Sequence, residues 1–312
     1  MEANIVIFGK SSIIAQNFIN KDFCKKANII SISRSSELEV DICCDIGKLL
    51  SLQEVEYISS KIKKKITYKK TIFILFSWHG GPRIVDKSEE VWSTNMHIIQ
   101  NFIKLSELIL PSRIVFLSSA GALYPKNIKS FNFPETHVPF PINSYGEQKL
   151  LSEKLLTWFS KILNINLTIL RISSAFGFDS RFSDQGVINK WLYSAVNNQK
   201  LKLYNSKESE INFISFEQIS KSIFISLKNE LNGIYNIGTE NSISLGTLIE
   251  EIEGTLNKRF IIEEVNLDNR FFNIDVSKFK SETGEVFKLN LRESIKSIYE
   301  SIINQNTKNL NL

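Results

Sequence analysis

Tyr145 and Lys149 lie four residues apart in Tyr145-Gly-Glu-Gln-Lys149, a spacing that places both side chains on one face of a helix, one turn apart. An ammonium beside a phenol favours the phenolate. The pair is therefore expected to lower the Tyr145 pKa and make that side chain a proton donor and acceptor near neutrality. The same spacing also occurs on ordinary solvated helix faces, so it gains meaning only from its surroundings. Two features supply them: a strand–loop–helix at Gly9, and the serine pair Ser118-Ser119, about 26 positions upstream of Tyr145.

The loop after the first apolar run reads Gly9-Lys-Ser-Ser12-Ile-Ile-Ala15. Glycines three apart at such a turn let the backbone approach a pyrophosphate at the start of the following helix. Here Gly9 is retained, while Ser12 and Ala15 take the other two positions as small residues. Gly9, Ser11, Ser12, Ile13 and Ile14 are the candidate contacts. The second strand ends at Ser33-Arg34-Ser35. An acidic residue there would suit the ribose of NAD, whereas an arginine flanked by serines suits the extra phosphate of NADP. A surface arginine is the plain alternative. Asp41-Ile42 is expected to bracket the adenine, and Phe76-Ser77-Trp78 ends a strand where a dinucleotide would cross the sheet.

Apolar runs at about 5–8, 28–32, 38–42, 72–76, 114–117 and 167–172 are expected strands, with helices from about 13, over 89–110 and over 143–163. Continuous apolar strands separated by helices predict a doubly wound α/β domain: a parallel sheet covered on both faces, with its ligand at the carboxyl ends of the strands. After residue 174 the rhythm changes. Residues 181–186 are polar, 187–196 and 217–228 read as helices, 201–216 holds strand-like runs, and 233–238 is a last buried strand. Helices near 246–256 and 291–303 surround a further strand at 259–264. The expected division is a dinucleotide-binding domain over 1–174 and a smaller C-terminal substrate lobe over 175–312, with about 211–240 packing back on the sheet.

Composition narrows the function classes. The 312 residues are 43% hydrophobic and 23% charged, with a formal charge of +5, which is ordinary for a globular protein. Lys61, Lys63-Lys64-Lys65 and Lys69-Lys70 form the densest basic patch, better suited to a solvated helix end than to nucleic acid. Cys24, Cys43 and Cys44 outline no disulfide framework, and His79, His97 and His137 have no metal-ligand spacing. With no leader-like start and no long apolar run, no membrane partner and a cytoplasmic location are expected.

Taken in order, the motifs resemble an extended short-chain dehydrogenase/reductase of the sugar-nucleotide epimerase/dehydratase family. They are the Gly9 loop, Asn95 in Ser-Thr-Asn-Met-His, Val115-Phe-Leu-Ser-Ser-Ala-Gly-Ala-Leu-Tyr124-Pro, Pro141-Ile-Asn-Ser-Tyr145-Gly-Glu-Gln-Lys149, Leu170-Arg-Ile-Ser-Ser174-Ala-Phe-Gly177, Gln185-Gly-Val-Ile, and Tyr235-Asn-Ile-Gly238 followed by Ser244-Leu. The resemblance implies a Rossmann domain binding NADP, or alternatively NAD, and a nucleotide-sugar substrate. It makes Tyr145 the acid/base on the sugar oxygen, and Lys149 the group that binds the nicotinamide ribose and lowers the Tyr145 pKa. A serine polarises the same oxygen, and Asn95 belongs to the cofactor site. It also implies a homodimer through the 89–110 and 143–163 helices, which would put Trp158 and Phe159 in core or interface.

Several positions depart from the family pattern. Counting back from Tyr124, the usual hydroxyl falls on Ala120, so Ser119 is the expected catalytic serine. Ser174 stands where many relatives carry an asparagine. The 210–217 segment lacks the usual diphosphate-gripping arginine, which leaves Arg181 or Lys190 for that task. His79 is a further candidate substrate contact. Arg34 and the motifs together favour a reductase of a nucleotide-linked 4-keto-6-deoxyhexose. A 4-epimerase is the alternative, and a cofactor-binding protein without catalysis is a third. A 4,6-dehydratase is disfavoured because Gly121-Ala122 replaces its extra acid/base pair.

Overall fold

The computed structural model describes residues 1–34, 39–81, 88–125, 127–179, 186–265 and 268–310. Along the chain, β1 (Asn4–Phe8), α1 (Ile13–Ile19), β2 (Asn28–Ser33), β3 (Ile42–Cys43), α2 (Leu52–Lys65), β4 (Thr71–Leu75), α3 (Ser88–Ile109) and β5 (Arg113–Ser119) alternate as expected of βαβ units. Next come α4 (Ala120–Leu123), β6 (Asn127–Phe133), α5 (Ser144–Ile162), β7 (Asn166–Ile172), β8 (Ser174–Phe176), α6 (Val187–Val196), β9 (Leu201–Leu203), β10 (Glu210–Ile211), β11 (Phe213–Ser215) and α7 (Phe216–Lys228). The chain ends with β12 (Gly233–Ile237), β13 (Ile243–Ser244), α8 (Leu245–Leu256), β14 (Ile262–Glu264), β15 (Phe271–Ile274), α9 (Ser277–Thr283) and α10 (Leu291–Leu310).

The main sheet has seven strands in the order β12-β7-β5-β4-β1-β2-β3, and β3, β2, β1, β4 and β5 pair in parallel. Period-two alternation decides which side chains meet which helices. Val6, Phe8, Phe73, Leu75, Ile114 and Phe116 join one core with Val55, Ile58 and Ile62 of α2, Ile99 and Phe102 of α3 and Leu156 of α5. A separate aromatic group links α1 and α7: Phe18 stands 6.1 Å from Phe76, and Phe23 stacks on Phe224 at 4.3 Å. The doubly wound reading holds.

Two compact units emerge: Met1–Leu123, Val138–Arg171 and Ile219–Tyr235 form the first, and Tyr124–His137, Ile172–Gln218 and Asn236–Leu312 the second. The Tyr124–His137 excursion thus joins the second unit instead of the expected 1–174 domain, because β6 pairs with β15 in a four-stranded sheet ordered β13-β10-β15-β6. In that unit Trp191 and Leu192 of α6, Leu248 and Ile252 of α8, and Ile295 and Ile302 of α10 share one core.

Some elements differ from expectation. The third strand is Ile42–Cys43, shorter and later than 38–42, because the Asp41 carboxylate is bonded back to Ser31 at the strand's start. Helix α2 supplies the helix end expected at the basic patch and extends it back to Leu52. Its buried Val55, Ile58 and Ile62 supply a helical stripe, Ser51 and Glu54 close a capping box, and Lys63, Lys64 and Lys65 occupy its last turn. That places the basic patch at a helix carboxyl terminus, where cations are favoured. The last helix runs on to Leu310, past the expected 303.

Candidate active site

In the sheet order, β1 sends the chain outward through β2 on one side and has β4 as its neighbour on the other. This is the point where a doubly wound sheet opens a crevice for its ligand. The loops that leave these two strands touch. Gly9 has φ +95°, and a Cβ at that position would lie 2.6 Å from the Ser77 backbone nitrogen and 2.6 Å from its Oγ. Only glycine satisfies both the dihedral and the approach. Ser12 precedes α1 as its N-cap, with no side-chain capping bond, and Ile13 and Ile14 open the helix.

The Ser11 and Ser33 hydroxyls meet at 3.5 Å across the ends of β1 and β2. Arg34 is exposed beside them, and Ser35 lies outside the described residues. Lys10, which sequence reasoning did not single out, donates to the Glu39 carbonyl and adds a second cation to this rim.

The expectation for Asp41-Ile42 needs correction. Asp41 Oδ2 accepts from the Ser31 N–H and hydroxyl, each at 2.9 Å, and Oδ1 accepts from Lys65 at 2.9 Å. Partial burial pushes the Asp41 pKa up, but the Lys65 and Ser31 bonds outweigh it and hold the carboxyl below its ordinary value. Ile42 is 6% exposed and belongs to the core. Both side chains are committed to structure at the start of β3. The acidic residue at its carboxyl end is Asp45, half-buried, whose Oδ1 accepts from the Gly47 N–H at 3.0 Å. The signal in the chain was a repeated Asp-Ile, at 41–42 and again at 45–46.

The candidate reacting groups gather where β4, β5 and α5 meet. Asn143 caps α5 by accepting from the Gly146 N–H at 2.9 Å, which sets Tyr145 in the first turn. Ser119 lies close enough to the Tyr145 phenol to work against the rise in its pKa, and Ala120 is fully buried in α4. Lys149 does not sit as an ammonium against the phenol. Its Nζ donates to the Leu117 carbonyl at 2.9 Å and lies 3.7 Å from the centre of the Trp78 ring, 4.9 Å from Phe116 and 5.8 Å from Tyr145.

The predicted lowering of the phenol pKa is therefore reversed. Burial pushes Tyr145 up to about 12, with nearby Ser119 working against the rise. Burial likewise drives Lys149 down to about 7, opposed by the Glu153 carboxylate. Desolvation penalises both charged forms more than either group helps the other. At neutral pH Tyr145 carries its proton.

Asn95 takes a different part from the expected cofactor contact. Fully buried, it accepts from the His79 N–H at 2.8 Å, donates to the His79 carbonyl at 3.0 Å and donates to Gln148 at 2.7 Å. It clamps the loop carrying Trp78 and His79 to α5. Phe76 is 7% exposed, packed beneath this loop. A buried ion pair between Glu153 and Arg171 of β7 closes the group. Neither was singled out from sequence; the clue to Glu153 was its place one helical turn after Lys149.

Ser174 lies in the second unit, half-buried in β8, its N–H donating to the Asn212 carbonyl at 3.1 Å. Arg181 lies outside the described residues. Lys190, the other candidate anion contact, lines a hollow with Lys200, Lys202 and Tyr204, its Nζ 5.3 Å from the Tyr204 ring centre. Among the described residues no group of three or more His, Cys, Asp or Glu side chains is placed to hold a metal ion, and no described helix is long and apolar enough to cross a membrane.

This arrangement has counterparts among known proteins. Over 195 residues the chain is 31% identical to dTDP-4-dehydro-6-deoxyglucose reductase of Escherichia coli, covering 61% of each protein. Over 193 residues it is 26% identical to an N-acetyl-alpha-D-glucosaminyl-diphospho-ditrans,octacis-undecaprenol 4-epimerase of Escherichia coli O157:H7, covering 61% of this chain and 55% of that one. These matches span less than two thirds of the relatives' length. The fold matches UDP-glucose 4-epimerase of Thermotoga maritima with TM-score 0.82 at 19% identity, over 97% of this chain and 99% of that one. It also matches dTDP-glucose 4,6-dehydratase of Bacillus anthracis, solved with NAD, with TM-score 0.81 at 17% identity over 98% of each. Residues 9–238 match the family described as NAD dependent epimerase/dehydratase, and the chain belongs to that family.

Proposed function

We propose that the protein is an NADP-dependent reductase of a nucleotide-linked 4-keto-6-deoxyhexose, in the supply of sugars for cell-surface polysaccharide. The observation that carries this reading is Arg34, exposed at the end of β2, where a guanidinium suits the extra phosphate of NADP, the dinucleotide that a net reduction draws on. Reduction of a ketone needs an acid at the carbonyl oxygen, whereas oxidation of a sugar hydroxyl, the opening step of epimerisation, needs a base. Tyr145, whose phenol burial raises to about 12, would supply that acid, as it would in the reducing half of an epimerisation. The 31% identity to a dTDP-4-dehydro-6-deoxyglucose reductase supports the same substrate class.

The residues fit a dinucleotide: β1 passes through the Gly9 turn directly into the open N-terminus of α1, whose N-cap Ser12 makes no side-chain capping bond, and Trp78 Nε1 and Ser118 Oγ are buried without partners among the described residues. Gly9, Ser11, Ser12 and the start of α1 would hold the pyrophosphate, Ser33, Arg34 and Lys10 the 2′-phosphate, and Lys149 the nicotinamide ribose. When bound, the cofactor supplies a hydride. Tyr145 gives its proton to the sugar oxygen as negative charge grows there, and Ser119 donates to the same oxygen. Lys149, whose pKa burial drives down to about 7, would in its protonated form favour the phenolate left behind.

The test is stoichiometric NADPH oxidation with a nucleotide-linked 4-keto sugar, lost in Tyr145→Phe. Tightly held NAD in the purified protein, with no net NADPH oxidation and with interconversion of 4-epimers, would replace this reading by the 4-epimerase. Unchanged cellular function of Tyr145→Phe would favour a binding role.

The proposed assembly is a homodimer through α3 and α5. Leu151, Trp158 and Ile162 follow one another at helical spacing on α5 and are 37%, 58% and 59% exposed, and Leu108 of α3 is 38% exposed. Phe159 instead packs on the core.

A further inference from the structure

Trp78 follows β4 by three residues and stands between the two groups of the proton-transfer centre. Its ring meets Tyr145 edge to face at 6.3 Å and 86°, and its face covers the Lys149 Nζ at 3.7 Å. Phe116 stands 6.3 Å away on another side. The indole Nε1 is buried, and no described residue accepts its hydrogen.

That is an unusual place for an unpaired donor. An indole N–H can only donate, along one direction set by the ring, and desolvating it without an acceptor is costly. Among the described residues around it, Lys149 is itself a donor, the Leu117 carbonyl accepts from Lys149 and not from the indole, and Phe116 and Tyr145 meet it with their rings. The loop cannot easily turn to find another partner, because Asn95 binds both backbone groups of the next residue, His79. The other tryptophan indole with a described bond, Trp191, donates to the Lys202 carbonyl at 3.0 Å.

We infer that Trp78 is a ligand-binding residue of this site, its indole N–H held ready for an acceptor oxygen of the bound dinucleotide or of the sugar. The inference rests on the reading of the site as that of a dinucleotide-dependent reductase. The chemistry required of the ligand is the same from either source: an amide, ribose or sugar oxygen brought within reach of Nε1 beside Tyr145.

Trp78→Phe keeps an aromatic face for Lys149 and removes only the donor. With the full-length protein, NADPH affinity is measured by calorimetry without sugar, then KM and kcat for a nucleotide-linked 4-keto sugar. A roughly tenfold loss of NADPH affinity in Trp78→Phe assigns the oxygen to the dinucleotide. A comparable rise in sugar KM, with NADPH affinity unchanged, assigns it to the sugar. Equal affinity and equal KM in the two proteins overturn the inference. If the wild-type protein binds no NADP or NAD, the reading of the site itself falls, which is a separate result. Should Trp78→Phe fail to fold, the indole 15N–1H resonances of the wild-type protein decide, assigned with Trp92→Phe, Trp158→Phe and Trp191→Phe. A downfield shift of the Trp78 signal on ligand addition supports the new bond, and an unmoved signal under saturation overturns it.

Discussion

Glu153 and Arg171 bind one another beneath the active site, with Nη2–Oε2 at 2.7 Å and Nε–Oε1 at 3.1 Å, and their side chains are 4% and 3% exposed. The pair joins α5 to β7 and leaves a carboxylate one turn below Lys149, where it opposes the loss of the lysine's charge. Removing one partner strands the other charge out of water. Glu153→Gln is expected to lose about 3–5 kcal/mol of unfolding free energy in urea, with part recovered in Glu153→Gln/Arg171→Met. A double variant no better than the single would show that the pairing does not explain the loss.

Lys149 gives a pH-dependent prediction. Its proton is held up to about pH 10.5 in the unfolded chain but only up to about 7 in the fold. Between these values the unfolded state binds more protons, so this group makes stability rise with pH, and its burial cost is complete below 7. Lys149→Met without ligands should be more stable than wild type at pH 6, by an amount on the order of 1 kcal/mol, with the advantage shrinking toward pH 10. Thermal unfolding across that range checks it, and a pH-independent difference would refute it.

Ser119 is the proposed partner hydroxyl of Tyr145, at a place where Ala120 has none to offer. Ser119→Ala should lower kcat on the order of 10²-fold with a smaller change in sugar KM, since the hydroxyl acts where charge develops. Loss of the hydroxyl also lets the phenol pKa rise further. Steady-state kinetics with the keto sugar measure both constants, and an unchanged kcat would remove Ser119 from the reaction.

Arg34 tests the choice of cofactor. Arg34→Ala should weaken NADPH binding at least about tenfold while leaving NADH binding nearly unchanged, because a guanidinium selects for the extra phosphate. Calorimetric titration with each dinucleotide measures the two affinities, and an equal loss for both would argue against phosphate selection.

The exposed stripe on α5 tests the assembly. Trp158→Glu places a charge among Leu151 and Ile162 and should convert a dimer to a monomer in light scattering after size exclusion, with the circular dichroism spectrum retained. A wild-type protein that is already monomeric would end the proposal.

Much of this site was legible in the chain because its motifs are local. Tyr145 and Lys149 share a helix turn by spacing alone, Gly9 follows an apolar strand, and the alternation of apolar runs and helices required a doubly wound sheet. Local patterns served less well where pairing is distant. β6 and β15 have no expected counterpart since a short strand gains its identity from its neighbour, and Asp41-Ile42 is named with no mention of the second Asp-Ile at 45–46 because the start and end of so short a strand look alike in one dimension.

The sequence by itself determined the family, the sheet and the residue types available for proton transfer. Only the tertiary structure decided their electrostatics. Spacing placed an ammonium beside a phenol, and from that a lowered phenol pKa was expected. The fold instead buries Lys149, half-buries Tyr145, turns Lys149 toward Leu117 and Trp78, and raises the Tyr145 pKa. The physical reason is that helical spacing fixes direction, whereas the cost of charge depends on how much water the surrounding strands and rings exclude.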